Sequence, residues 1–308
     1  MTGTKTTTSA SSDEYPPLPR RALMRWYAGN GRHALPWRLT REPYAVLVSE
    51  VMLQQTQVDR VLLRYQAWLQ RWPTAAALAG ASLADVIREW GGLGYNRRAV
   101  NLHRAARVIA AQGFPTTVAG LRCLPGVGTY TAAAVASFAF NEHVAVADTN
   151  IARCIARVLL GQPSQRGVSP KVIAAAGSAM LPREDSRSHN LALMDLGAIV
   201  CQAKVPRCGE CPLRAVCEWR RAGFPADEAA RKPAPRFEDS ARFARGRIVD
   251  ALRATQQLST REIVDVLPPS HHQPLDRYLA SLERDGLVAR TPSGDWALPA
   301  ASEITTAG

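Results

Sequence analysis

Lysine is nearly missing from this chain. Of its 38 basic side chains only Lys5, Lys171, Lys204 and Lys232 are lysines, and none lies between the first two. A lysine amine able to form a Schiff base is therefore excluded from residues 6–170. No run of about 18 apolar residues occurs, so no membrane-spanning helix is expected. The first residues lack the basic, apolar and small-residue order of a secretory leader, and the expectation is a cytoplasmic chain. Strand-type alternation is missing from Arg20 to about Phe224, and no internal repeat is evident.

What the chain does have is positive charge, +12 over 308 residues. That balance points to a polyanionic partner, nucleic acid first, and so to association with the nucleoid. The length allows one large domain or two to three small ones.

Helical periodicity runs almost unbroken from Arg20 to Phe224 and predicts helices near 18–29, 43–55, 58–71, 82–89, 97–112, 117–122, 129–140, 149–160, 170–181 and 187–201. Short links with Gly or Pro separate them, which predicts an all-α body. Residues 1–17 are Ser/Thr-rich, then Pro-rich, and read as a disordered tail, as do 301–308. Residues 225–239 carry prolines and mixed charge and read as a linker. After it come three short helical patterns and the hairpin signal LVARTPSGDWALP, with its turn at Pro292-Ser293-Gly294. That order predicts a small α+β domain of winged-helix type over 240–300, in which one helix can lie along a DNA groove. A helical cap with no DNA contact is the plainer reading.

Four stretches carry chemistry. In YAVLVSEVMLQQTQV, Glu50 shares its helix face with Val46, Leu47, Leu53 and Gln54. A carboxyl group on such a face is poorly solvated, which favours the protonated form and suits a general acid. A helix-end Glu reaching water is the competing reading. In LPGVGTYTA, Gly126 and Gly128 permit a tight turn between helices and close approach of another backbone, and the N–H groups opening the second helix suit a phosphate. That is the helix-hairpin-helix pattern. Asp148 in ADTNIARCIARVL precedes a helix, where capping alone would account for it. Its functional reading is a second carboxylate facing Glu50 across a cleft, held ionised by N–H donors and the helix dipole. Two carboxyl groups kept at different pKa values are the equipment for breaking a glycosidic bond. Finally, Cys201, Cys208, Cys211 and Cys217 follow the spacing C-x6-C-x2-C-x5-C, which suits Zn²⁺ or a [4Fe–4S] cluster.

The cysteine spacing downstream of a helix-hairpin-helix and an Asp resembles the iron–sulfur loop of the endonuclease III superfamily of DNA glycosylases. Within it, LPWR (35–38), SEVMLQQTQV (49–58), GLGY (92–95), LPGVGTYTA (124–132), DTN (148–150) and MDLGA (194–198) resemble, in order, the adenine DNA glycosylase (MutY) family over roughly residues 20–225. The resemblance implies a glycosylase domain over 18–224, with a six-helix module at about 37–143 and a cluster module formed by 18–36 and 144–224. It implies a [4Fe–4S] cluster on the four cysteines. Glu50 would protonate adenine, Asp148 would stabilise the sugar cation, and Tyr130 would stand beside them. Gln55 and Tyr95 resemble residues that wedge into the duplex; Trp37, Arg38 and Asp195 resemble the lining of the adenine pocket, with His33 nearby; Thr56 and Leu93 would lie near the opposite base. Lys204, Arg207 and Arg214 in the cluster loop would present positive charge to DNA. Related lyases place a lysine where Tyr130 stands, so the lysine gap implies a monofunctional enzyme.

The function so implied is base excision repair on double-stranded DNA carrying adenine opposite 8-oxoguanine or guanine, by a monomer working alongside other repair proteins. A nudix-type C-terminal domain, common in that family, is not recognisable here. Two rivals stand beside this reading: a thymine or uracil mismatch glycosylase of the same superfamily, and a non-catalytic iron–sulfur DNA-binding regulator.

Overall fold

A computed structural model describes residues 18–227 and 236–300. The expected tails at 1–17 and 301–308, and the middle of the expected linker, lie outside the described residues. The described chain is mostly helical, and two compact units divide it: residues 1–41 with 129–231, and residues 42–128 with 232–308.

The helices follow their sequence signals closely. They are α1 (Arg20–Asn30), α2 (Pro43–Leu53), α3 (Val58–Arg71), α4 (Ala75–Ala79), α5 (Leu83–Glu89), α6 (Arg97–Gln112), α7 (Val118–Arg122), α8 (Thr129–Phe140), α9 (Thr149–Leu160), α10 (Pro170–Met180), α11 (Ser186–Ile199) and α12 (Glu218–Arg221). Pro43 at the first position of α2 has no N–H to lose there, and the Glu42 side chain accepts the Ala45 N–H. Thr74, Ser82 and Thr117 cap α4, α5 and α7 in the same way. Helix α4, a five-residue run of mostly alanine, has no apolar periodicity that would mark it in the sequence.

In the first unit α9 packs on α10, α11 and α12, and α11 also meets α1 and α8. The contact between α9 and α11 is unusually close. A Cβ at Gly197 would stand 2.7 Å from the Asn150 Cβ, so only glycine fits. In the second unit α2 packs on α3 and α6, and Trp68 meets Trp72 and Trp90 edge to face at 4.7 and 5.4 Å.

The second unit also contains the C-terminal segment, made of α13 (Ala241–Ala254), β1 (Gln257–Leu258), α14 (Thr260–Asp265), α15 (Leu275–Arg284), β2 (Ala289–Arg290) and β3 (Trp296–Ala297). The strands form a three-stranded antiparallel sheet in the order β1-β3-β2, with Ala289 opposite Ala297 and Arg290 opposite Trp296. The β2–β3 turn falls where the sequence places it, with Gly294 at φ 88°.

Description begins again at residue 236, inside the stretch expected as linker. Phe237–Asp239 form a 3-10 turn, Phe237 packs edge-on against Phe243 at 5.7 Å, and the Glu238 carbonyl sits 2.7 Å from His271 Nε2. An aromatic anchor outweighs the polar composition read as linker. The division between the units falls at Gly128–Thr129 and places α8 with the chain that follows it.

Candidate active site and cysteine cavity

Glu50 sits within α2 among Tyr44, Val46, Leu47, Val48 and Met52, all buried, and is itself only 4% exposed. The helix-end reading, in which it reaches water, does not hold. Its neighbour Ser49 is buried too, and donates to the Val46 carbonyl at 2.8 Å, which satisfies the hydroxyl within the helix.

Beyond α2 the chain turns sharply at Gln55, whose φ is +54°. Tyr95, at the end of the Gly92–Gly94 turn, has φ +47°. Left-handed conformations cost a non-glycine residue on the order of 1 kcal/mol, so something must hold both. Arg98 does. Its guanidinium donates to the carbonyls of Val51 (2.7 Å), Met52 (2.9 Å), Gln54 (2.6 Å), Leu93 (3.0 Å) and Gly94 (3.0 Å), and to Thr56 Oγ1 (2.9 Å). It reads at once the last carbonyls of α2 and the turn before Tyr95. Arg98 is 8% exposed, and burial pushes its pKa down to about 10. Gln55 and Tyr95 are exposed, whereas the Leu93 side chain is 3% exposed; Thr56 Oγ1 also donates to the Leu93 carbonyl at 3.1 Å. Of the four residues expected at the duplex, Leu93 therefore lends the surface no side chain.

The helix-hairpin-helix turn lies between α7 and α8. Gly126 has φ +75°, and a Cβ there would meet Asn101 Cβ at 2.5 Å, so both conformation and space require glycine. A Cβ at Gly128 would meet nothing within 4 Å, which leaves its backbone open to another molecule. Tyr130 is the second residue of α8 and is half-buried.

In the first unit Asp148 caps α9: it accepts the Ile151 N–H at 2.6 Å and the Asn150 Nδ2 at 3.0 Å. The Asn150 amide is oriented by Arg153, whose Nη2 donates to Asn150 Oδ1 at 2.9 Å. These donors were expected to hold the carboxylate in its ordinary range or below. Burial outweighs them and pushes the Asp148 carboxyl upward, against the downward pull of Ile151, Asn150 and Arg153. Trp37 is buried in a 3-10 turn. Asp195, fully buried on α11, accepts from Arg32 N at 2.9 Å and Nε at 2.8 Å and pairs with Arg38 at 3.2 Å. Arg38 Nη1 is buried with no protein acceptor, and a buried donor of that kind is costly unless a ligand meets it. The structure thus pairs Asp195 with both Arg38 and Arg32, the latter marked by no sequence motif. His33 stacks on Tyr27 at 4.5 Å and faces its carbonyl.

The four cysteines line one small cavity with Arg157, Arg214, Trp219 and Arg220. Arg157 Nη1 lies 3.5 Å from Cys201 Sγ. The Cys154 thiol, then Arg157 and Arg153, hold the Cys201 thiol below its ordinary range, whereas burial pushes Cys211 up to about 12. No three His, Cys, Asp or Glu side chains among the described residues converge as a single-ion site. The loop is tied to α9 by Arg153, which donates to the carbonyls of Cys201 and Gly197, and by Arg157, which donates to those of Gln202 and Ala203. Arg207 and Arg214 mostly bind the loop's own carbonyls, Ile199 and Gly209, and Arg207 pairs with Glu210. Among the described residues no helix is long and apolar enough to cross a membrane.

Comparison with known proteins gives a consistent picture. Residues 48–173 match the HhH-GPD superfamily of base excision DNA repair proteins. The adenine DNA glycosylase of Mycobacterium tuberculosis (strain CDC 1551 / Oshkosh) is 45% identical over 90% of this chain and 92% of its own length. That of Mycolicibacterium smegmatis is 44% identical over 91% and 96%. The human adenine DNA glycosylase is 42% identical, but across only 66% of this chain and 39% of its own. Among solved structures, a thermostable thymine-DNA glycosylase matches with TM-score 0.61 and 27% identity, over 66% of this chain and 94% of that one. A non-covalent endonuclease III–DNA complex matches with TM-score 0.56 over 70% and 99%; at 21% identity this likeness concerns the fold alone.

Proposed function

Because the chain belongs to the adenine DNA glycosylase family of the HhH-GPD superfamily, we propose that it excises adenine mispaired with 8-oxoguanine or guanine from double-stranded DNA. The chemistry is hydrolysis of the N-glycosidic bond. The observation that carries this reading is the pair of unlike carboxyl groups: Glu50, enclosed on an apolar helix, and Asp148, fixed by N–H donors at a helix N-terminus.

The target nucleotide is extruded from the stack, at less cost when its base is mispaired. Glu50 gives its proton to adenine, at N7, so that the base departs neutral with the electron pair of the C1′–N9 bond. The sugar is left cationic and the Asp148 carboxylate stabilises it. Water adds at C1′ and releases a proton, leaving free adenine and an abasic site. Arg38, with its unmet buried donor, and Trp37 suit the holding of a flat heterocycle. The lysine gap supports a monofunctional course: no amine of residues 6–170 is available to form an imine with the sugar and cut the strand.

Cys201, Cys208, Cys211 and Cys217 would hold a [4Fe–4S] cluster. The fit rests on four thiols lining one cavity, a depressed Cys201 thiol, and arginines to offset the charge of a thiolate-ligated cluster. Such a group, when bound, would cross-link the cysteine loop, which Arg153 and Arg157 already tie to α9. Iron and sulfide content and the visible absorption of the purified protein test it. We read the C-terminal segment as a winged-helix-like domain, and the protein as a monomer of the nucleoid that hands abasic sites to other repair enzymes.

An abasic-site assay on duplexes carrying A opposite 8-oxoguanine, A opposite G, T opposite G and U opposite G tests the substrate. Release of adenine only, with no protein–DNA adduct trapped by borohydride, is expected. Preferential release of thymine or uracil would make it a pyrimidine mismatch enzyme, and no release from any duplex would leave a regulator.

A further inference from the structure

Tyr95 does not stand alone at its turn. Its hydroxyl accepts a hydrogen bond from the guanidinium of Arg242, on the first turn of α13. That guanidinium also lies 4.9 Å from the centre of the Tyr95 ring and 4.7 Å from the centre of the Phe237 ring. Tyr95 and Phe237 are 37% and 48% exposed, which is high for aromatic side chains. Two aromatic rings and one guanidinium therefore form a single exposed group, of which the C-terminal segment supplies two members.

The docking that brings them there is specific. Arg253, at the far end of α13, donates to the Ile87 carbonyl and to Asn96 Oδ1, each at 2.9 Å, the latter one residue beyond Tyr95. Asp285 accepts from Arg245 and pairs with Arg97 at 3.2 Å. By contrast, no carboxylate among the described residues pairs with Arg242. Contact with ring faces leaves its charge uncompensated and most of its five N–H donors unused. The third helix of the segment offers much less to a polyanion. Along α15, Asp276 and Glu283 cancel Arg277 and Arg284. A helix with no net charge is poorly suited to a groove walled by phosphates.

We propose that the C-terminal segment contacts duplex DNA through Arg242 and Phe237, not through α15: the guanidinium takes a backbone phosphate beside the point where Tyr95 enters, and the Phe237 ring covers the apolar face of an adjoining sugar or base. The inference deepens the wedge reading of Tyr95 and rests on it. Glu238 and Asp239, in the same turn as Phe237, confine the contact to this one guanidinium rather than to a broad basic face.

The test uses the full chain and a duplex carrying a stable abasic-site analogue opposite guanine, with affinity measured across a salt series. Arg242→Ala is expected to weaken binding about 10-fold near 0.15 M salt and to lower the slope of log affinity against log salt by about one. Arg242→Glu is expected to weaken it further, and Phe237→Ala by several-fold through lost stacking. The double variant Arg277→Ala/Arg284→Ala on α15 is expected to bind as the parent does. These side chains are exposed, and unchanged melting confirms that each variant folds. If Arg242→Ala and Arg242→Glu leave both affinity and salt slope unchanged, the inference is overturned. If they do so while Tyr95→Ala weakens binding, the wedge reading survives without it. If Tyr95→Ala binds like the parent, the wedge reading fails, and the salt slope of Arg242→Glu still decides whether the segment touches DNA.

Discussion

Glu50 and Asp148 are the same functional group in opposite settings. Glu50 sits where the helical ladder has already used the backbone N–H groups, and its surroundings are Val, Leu and Met. Asp148 stands at a helix N-terminus, where N–H groups are unused by the ladder, and it takes one of them together with a side-chain amide. Backbone position therefore gives Asp148 a main-chain N–H donor at a helix N-terminus, whereas Glu50 lies within the apolar run of α2. The two settings share a support. Each helix is secured by arginines directed at carbonyl oxygens: Arg98 at the end of α2, Arg153 and Arg157 along α9. A guanidinium offers five donors in a fixed plane, and carbonyls at the ends of helices and in turns are the acceptors that remain unmet.

The contrast breaks most sharply at Glu50. Glu50→Gln is expected to lower single-turnover adenine release about 10³- to 10⁴-fold while leaving DNA affinity within a few-fold, the range of a lost general acid. A variant that keeps near-full turnover would remove Glu50 from the chemistry. Asp148→Asn is expected to cost about 10²- to 10³-fold, the scale of a lost electrostatic contact to a developing charge, again with DNA binding retained.

Asp148 also carries a pH signature. Burial raises its folded carboxyl above the unfolded value, so the folded chain binds that proton more tightly. Stability falls as pH rises through the window between the two values, and above it the ionised form remains the less stable one. The variant Asp148→Asn lacks this term. Melting of parent and variant across acid pH should show the parent's dependence and not the variant's, and the parent's acid limb of base release should lie above the ordinary aspartate range.

A smaller effect is expected at the supports. Arg98→Lys keeps the charge but not the planar fork, and leaves several carbonyls unmet. Unfolding should show a loss of about 2 kcal/mol or more, with mispair affinity falling together with it as the Gln55 and Tyr95 turns relax. Smallest of all, Tyr130→Phe should reduce base release less than about 10-fold, since one neutral hydroxyl contributes roughly 1 kcal/mol. A larger loss would give Tyr130 a part in the reaction itself.

Much of this was legible along the chain. Helices α2, α3, α6, α8 and α9 fall where periodicity places them, and Asp148 caps α9, because those signals are local in sequence. The cysteine spacing announced a shared site, and the four side chains do line one cavity. Other features left no local mark. Arg98 is one arginine among many in the sequence, and nothing nearby foretells six acceptors gathered from two separated turns. Arg32 and Asn190 are similar: Asn190 holds Val146 N, Ser137 Oγ and the Val144 carbonyl on the approach to Asp148. Phe237 reads as linker until its partners are in place.

The amino-acid order thus determined most of the secondary structure, the charge, the lysine gap over residues 6–170 and the kinds of group available for chemistry, since each depends on composition or on neighbours within a few residues. Tertiary structure alone decided how far burial moves Asp148, which carbonyls Arg98 gathers, and that the C-terminal segment sets Arg242 on Tyr95. Desolvation and long-range hydrogen bonds depend on residues far apart in the chain, whose approach no local pattern encodes.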